Sequence, residues 1–317
     1  MGVGVSPSPT PLRMDDGMEL LRQAPSRNPK EVLTFALLVL LGAVTLLTTL
    51  GVILSLLGEV VEFFRRVPLT EFLFAPEWTP LFAEPRYGIA PLIAGTLLVT
   101  AIALTVAIPL GLALAIYISE LAPHRVRARV MGILELFEGI PTVVLGYFAL
   151  LTVTPFLQKF IPGLQIFNPL SAGLVMGFAI IPYVSNVAAD AMQSVPRAIR
   201  EAAYALGARP YEVALRVVFP AAVSGIIAAI ILATSRAIGE TMIVAIAAGQ
   251  RPTLTLDPRE TIATMTSFIV QAATGDQPAG STASLALFAV GATLFLMTLG
   301  LNILAQYVVE RYRERYE

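Results

Sequence analysis

The chain has 317 residues, 56% hydrophobic and 14% charged, with a mean hydropathy of +0.77 and a net charge of −1. A soluble domain carries about 25% charged residues, so this composition points into a bilayer, and the near-neutral charge gives no argument for nucleic acid. The absence of cysteine and the single histidine, His124, exclude disulfides, zinc–thiolate centres, thiol catalysis and a histidine-built metal site.

Residues 1–30 are polar and proline-rich (Pro7, Pro9, Pro11, Pro25, Pro29) and read as a flexible cytoplasmic tail. The apolar run that follows is too long for a signal peptide and ends in no small-residue cleavage motif, so 31–58 is expected to stay as an N-terminal transmembrane helix. Crossing a bilayer core takes roughly 20 apolar helical residues. Runs of that order occur at 32–57, 89–118, 139–157, 169–189, 217–235 and 282–309, the fifth continuing past two charges to about Gly249. Backbone groups in lipid must be paired internally, so such runs form helices, and the strict alternation of a membrane barrel strand is absent. The expected fold is an all-α polytopic membrane protein with six transmembrane helices.

Six spans put both termini and the second and fourth loops on one side. That side, including a C-terminal tail at 309–317, carries fourteen arginines and lysines against six on the other. The positive-inside rule makes the richer side cytoplasmic. Outside lie a first loop with Trp78, a short loop broken at Pro162 and Gly163, and a third loop at about 250–281. Trp78 reads first as part of an interfacial aromatic belt and second as a docking surface. Ile262, Met265, Ile269 and Ala272 recur at helical spacing in the third loop and predict an interfacial helix.

The fourth loop, about 193–220, is the most informative. Pro196 suits the first turn of a helix, Gly207 a left-handed end, Pro210 a second start, and Pro220 a break at re-entry into the membrane. The result is a stiff helix–turn–helix with small residues, Ala202 and Ala203, beside Glu201. Such an element suits force transmission from a soluble partner; it equally fits an ordinary amphipathic loop packed against the bundle. Glu201-Ala202-Ala203, three residues, Gly207, nine residues and Val217-x-Phe219-Pro220 resemble the Glu-Ala-Ala (EAA) motif of bacterial ATP-binding-cassette importer permeases, with Val and Phe replacing Ile and Leu. The resemblance implies a type-1 ABC importer permease core over 89–308. It also implies a coupling helix in which Glu201, Ala202, Ala203, Gly207 and Pro220 serve the contact with an ATPase subunit.

A phosphate-cradling loop needs Gly-x-x-x-x-Gly-Lys-Ser/Thr. The two lysines, Lys30 and Lys159, neither follow a glycine nor precede Ser or Thr. No cofactor is expected on this chain, and ATP is expected on partner subunits.

A charge within a membrane helix costs about 2.5–3.5 kcal/mol on insertion scales and usually serves function or a partner. Arg236 and Glu240 lie four apart on the fifth helix, among Thr234, Ser235 and Thr241, with Gly239 opening space. An arginine fork with hydroxyls suits a phosphate-like oxyanion, and Glu240 would accept a proton-bearing oxygen that sulfate lacks. Alternatively, Arg236 pairs with Glu240, or with Glu135 or Glu138 on helix three, to lock the bundle. Ser235, Arg236, Glu240 and Thr241 are the candidate substrate pathway. The segment from Arg236 to Met242 resembles the Arg-Ala-Ile-Gly-Glu-Thr stretch of phosphate permeases, Met242 fitting the PstC type. The stretches 109–120 and 139–146 agree, although Glu138 stands where a small residue is expected.

This resemblance implies inorganic phosphate as substrate. The partners it implies are a PstA-type permease subunit, two ATP-binding subunits, an extracytoplasmic phosphate-binding protein and membrane lipid. Sulfate or molybdate is the alternative oxyanion. A secondary anion transporter would show inverted repeats, and none is evident. An intramembrane enzyme would need a catalytic dyad that the chain lacks.

Overall fold

The computed structural model describes residues 29–312 apart from Ala83 and Ala279, so the expected tails lie wholly or largely outside the described residues. The chain divides into two compact units, residues 1–55 and 56–317. The described part of the first is the leading stretch of α1 (Pro29–Arg66). From Val32 to Gly58 every side chain on this helix is exposed, as apolar residues facing lipid would be. The hydroxyls of Thr45, Thr48 and Thr49 donate to carbonyls three or four residues back (2.8–3.0 Å), the internal pairing that a bilayer demands.

The second unit is built along α3 (Ala90–Ile116), which meets three apolar clusters in turn. Ile89 and Leu92 belong to the first, with Trp78 and Phe268. Val99, Ala103 and Ala107 belong to the second, with Met176 and Ile180. Ala115 joins the third, with Met192 and Val213. α6 (Pro169–Gln193) packs along α3. A Cβ on Gly173 would lie 2.7 Å from Ile102, and one on Gly177 would lie 2.7 Å from the Ala103 carbonyl oxygen. Only hydrogen lets the two backbones come this close. Gly173 and Gly177, four apart in sequence, thus mark a helix–helix seam.

Among the described residues, four helices are long and apolar enough to span a membrane, or six if each of two bent pairs is one span. The expected third span is realised as α5 (Thr142–Gln158), preceded at an 86° bend by α4 (His124–Glu138). The break at Gly139-Ile140-Pro141 has a clear cause: proline restricts the residue before it to extended backbone. Glu135 and Glu138 therefore sit on α4, before the bend, and not on one straight helix with the apolar run from Thr142. The fifth run divides likewise. α8 (Pro210–Ala221) meets α9 (Val223–Ile238) at 75°, and α9 stops before Gly239, so the expected continuation to Gly249 is a separate short helix, α10 (Met242–Ala247).

Among the described residues, three π-helical turns occur, at Tyr117–Leu121, Ala149–Val153 and Ala214–Val218. Each ends two residues before a proline: Pro123, Pro155 and Pro220. At Pro155 and Pro220, which lie within helix, proline has no N–H to donate and crowds the carbonyl four residues back, and widening the preceding turn relieves both; Pro123 instead follows the extended Ala122, beyond the helix end.

The loop at about 250–281 contains the expected helix, α11 (Met265–Thr274), with its apolar face turned into the protein. Ile262, Met265 and Phe268 are buried, and the helix packs inside the first cluster. Trp78 is neither belt nor docking surface. It is 1% exposed, ringed edge-on by Phe72, Tyr87 and Phe268. It also forms, with Tyr87, an isolated antiparallel bridge.

Candidate functional site

The Glu-Ala-Ala loop folds as α7 (Arg197–Ala205) followed by α8. Gly207 has φ +82°, Ala208 N–H donates to the Ala203 carbonyl (3.2 Å) and Gly207 N–H to the Tyr204 carbonyl (2.9 Å). This paired closure ends the helix in a left-handed glycine, as the sequence predicts. The Glu212 carboxylate accepts from the Arg209 N–H (2.8 Å) and starts the second helix.

α7 buries no residue completely. Glu201, Ala202 and Gly207 are exposed, and Ala203 is half-buried against the third cluster. Pro220 is exposed in the last turn of α8. Leu206 stands 90% exposed at the turn, with Tyr204 and Tyr211 about half exposed beside it. Sequence reasoning picked out the small residues and missed this bare apolar tip, although Leu206 directly precedes the glycine that ends the helix.

Beneath the hairpin lies a second feature the sequence did not single out. The Arg200 guanidinium donates to both carboxylate oxygens of Glu120 (2.9 and 3.1 Å). It also donates to the Met192 carbonyl (2.7 Å) and the Val195 carbonyl. Glu120 belongs to the π turn ending α3, and Met192 lies in the last turn of α6. The cation therefore also faces the negative end of the α6 dipole. The Glu120 carboxylate holds the Arg200 pKa above its ordinary value. Only the 80-residue separation hid this pair from pattern reading.

The embedded charges meet at a narrow cleft with room for ≈ 30 Å³, lined in part by Phe137, Glu138, Thr142, Tyr183, Arg236 and Glu240. That is about the volume of one water. Arg236 Nη1 lies 3.3 Å from Glu240 Oε2, and its guanidinium stands over the Tyr183 ring at 5.6 Å from the centroid. Beyond this ion pair, no hydrogen bond from the guanidinium to a protein acceptor is found among the described residues, so most of its five donors are not consumed by the bundle. Glu240 is only 6% exposed. Its Oε1 accepts from the N–H groups of Met242 (3.2 Å) and Ile243 (3.4 Å) at the start of α10, and its backbone carbonyl accepts from Thr266 Oγ1 (2.9 Å). The break at Gly239 creates these orphan N–H groups, and the carboxylate satisfies them.

The other two pathway candidates do not line the cleft. Ser235 Oγ donates to Asn302 Oδ1 (2.9 Å) on α12 (Thr282–Tyr312), and Thr241 Oγ1 donates to the Gly239 carbonyl (3.1 Å). No arginine among the described residues pairs with Glu135 or Glu138; Glu138 instead accepts from Asn186 Nδ2 (3.2 Å). Tyr183 and Asn186, three apart on the mostly apolar α6, were the sequence signal for this wall.

Residues 107–314 match the model of the family described as "binding-protein-dependent transport system inner membrane component". The chain belongs to this family. The permease is 33% identical over 241 residues to a probable ABC transporter permease protein, YqgH, of Bacillus subtilis, covering 76% of this chain and 78% of that one. It is 31% identical over 269 residues to the phosphate transport system permease protein PstC of Mesorhizobium japonicum (77% and 79% covered). To PstC 1 of Mycobacterium tuberculosis it is 34% identical over 248 residues (71% and 73% covered). Among solved structures, the permease fold is similar to a chain of a bacterial alginate ABC transporter (TM-score 0.62, 18% identity, 90% of this chain and 98% of that one). It is also similar to a chain of the MetNI methionine ABC transporter (TM-score 0.53, 17% identity, 72% and 95%). These last two likenesses support the type-1 importer permease fold.

Proposed function

We propose that the chain is the PstC-type permease subunit of an ATP-driven phosphate importer, with both termini and the α7–α8 hairpin on the cytoplasmic side. In this reading separate ATP-binding subunits seat on α7, through Glu201, Ala202, Ala203, Gly207 and the apolar tip at Leu206. A PstA-type permease completes the pathway, and an extracytoplasmic binding protein delivers phosphate. The observation that carries the reading is a rigid hairpin, bearing the Glu-Ala-Ala pattern, whose first helix leaves its outer face bare.

Phosphate is supported by the names of the relatives and by the unspent donors of Arg236. The cleft, with room for ≈ 30 Å³, is too small for a phosphate ion, consistent with a closed gate or with a half-site completed by the second permease. Glu240 acts in two ways at once: it caps α10 and holds Arg236 in place. Both its oxygens face donors of this chain, which argues against the proton-acceptor role, and selectivity then falls to Arg236 and to groups of the second permease.

The test is uptake of labelled phosphate, with sulfate as competitor, into membranes co-expressing all four components. Phosphate uptake that sulfate does not suppress is expected; uptake of sulfate in its place overturns the substrate. Arg236→Gln is expected to lower phosphate uptake at least about a hundredfold, by loss of a charge-assisted contact, while the complex still assembles. Uptake within about twofold of wild type removes Arg236 from the pathway.

A further inference from the structure

We propose that Arg200 and Glu120 form the rigid joint through which movement of α7 reaches α3 and α6 together, a proposal that rests on α7 being the seat of the ATPase. α7 follows α6 in the chain through Ser194, Val195 and Pro196, so α6 is pulled directly by the backbone. α3 has no such link to α7. Ile199 and Ala203 lean on the third cluster, but apolar contact is non-directional and lets a helix slide or roll.

Arg200 supplies what that contact lacks. Its planar fork engages both oxygens of Glu120 at the end of α3, the Met192 carbonyl in the last turn of α6 and the Val195 carbonyl just beyond it. A bidentate pair fixes orientation as well as distance. The pair is also enclosed, with the arginine side chain 16% exposed and the carboxylate 7%, so salt screens it little. A lysine would keep the charge and lose the fork. Displacement of α7 therefore moves the inner ends of both helices as one body. The seam of Gly173 and Gly177 joins the same two helices further along.

The experiment uses the four-component transporter in liposomes, comparing wild type, Glu120→Gln, Arg200→Lys and the double variant. Three quantities are read: ATPase subunits retained, ATP hydrolysed, and labelled phosphate moved per ATP. The expected result is full retention of the ATPase subunits and hydrolysis within about twofold of wild type. Phosphate per ATP should fall roughly tenfold in each single variant, and no further in the double, the range of a lost coupling between two sites. Unchanged phosphate per ATP in both single variants overturns the joint. So does a loss that merely follows the amount of assembled complex, or effects that multiply in the double variant. Cross-linking from Ala203→Cys in the otherwise wild-type transporter separates the two levels. Failure to reach an ATPase subunit sinks the reading of α7 itself, whereas a cross-link with unchanged coupling sinks only the joint.

Discussion

The two ends of α3 hold their loop elements by opposite means. At the Trp78 end, α2 (Leu69–Phe74), the Trp78–Tyr87 bridge and α11 close around aromatic rings, with centroid separations from 4.9 Å for Trp78–Phe268 to 6.2 Å for Trp78–Tyr87. Phe63, Phe72, Trp78 and Phe268 are at most 2% exposed. At the α7 end a nine-residue helix has no fully buried residue and is held by one enclosed guanidinium and the partial burial of Ile199 and Ala203. An element fastened by rings spends its apolar surface on its own support. One fastened by a cation and two half-buried side chains keeps its outer face free for a partner. The first arrangement suits a fixed plug, the second a lever.

Truncating the ring cluster gives the largest expected effect. Trp78→Ala should destabilise the protein by about 3–5 kcal/mol, the usual cost of a large aromatic cavity, measured as thermal or denaturant stability in detergent. Trp78→Phe sharpens the test, because Trp78 Nε1 is buried without a hydrogen-bond partner. Removing a donor that is already unsatisfied recovers part of the packing loss, so Trp78→Phe should cost much less than Trp78→Ala. Equal losses would mean that the indole N–H is paired and the cluster is not simply apolar.

At the other end, Leu206→Ala should leave the isolated chain within about 0.5 kcal/mol of wild type, as expected of an exposed site, while weakening capture of the ATPase subunits. Gly207→Ala should cost about 1 kcal/mol through the left-handed backbone alone, since a Cβ there meets nothing within 4 Å. A stability loss at Leu206 comparable to that at Trp78 would erase the contrast between the ends.

How much of this was legible in the sequence follows from the range of each force. Apolar runs predicted the spans, because lipid imposes one rule on every residue of a helix. Pro196, Gly207 and Pro210 predicted the hairpin, because caps and turns act over a few residues. The bends at Gly139-Ile140-Pro141 and Ala222 turned two continuous hydrophobic readings into broken helices. Hydropathy cannot register direction, and a proline marks a break without fixing its angle. Contacts between distant residues were the hardest to see. Arg236 and Glu240 are four apart and were paired on sight; Arg200 and Glu120 are not, and nothing in their local sequences joins them. Trp78 was misread because an aromatic near a span end fits a lipid belt, and its burial depends on α11 arriving from the far side of the chain.

The smallest expected effect lies in the loop following α10, and it tests whether the Trp78 end carries any charge-based fastening. Asp257 accepts from Arg259 through the side chain at 2.6–3.1 Å and the backbone N–H at 3.0 Å. The carbonyls of Pro258 and Arg259 then accept from the N–H groups of Leu170 (3.2 Å) and Gln165 (3.0 Å), tying the loop to the start of α6. The arginine bonds lower the Asp257 pKa from 3.8 to about 2. A carboxyl depressed on folding contributes stability that is complete above its unfolded value and is lost as pH falls through the folded one. Neutral pH should therefore show the clasp intact, with its contribution disappearing only between pH 3.8 and about 2. The pair is solvent-exposed, with the arginine side chain half open, so the gain is small and weakens with salt. An infrared carboxyl titration of wild type against Asp257→Asn isolates this one group. A midpoint near 3.8 would show the clasp to be open in solution. A midpoint near 2 would give the ring-fastened end one ionic latch, far weaker than the enclosed pair beneath α7.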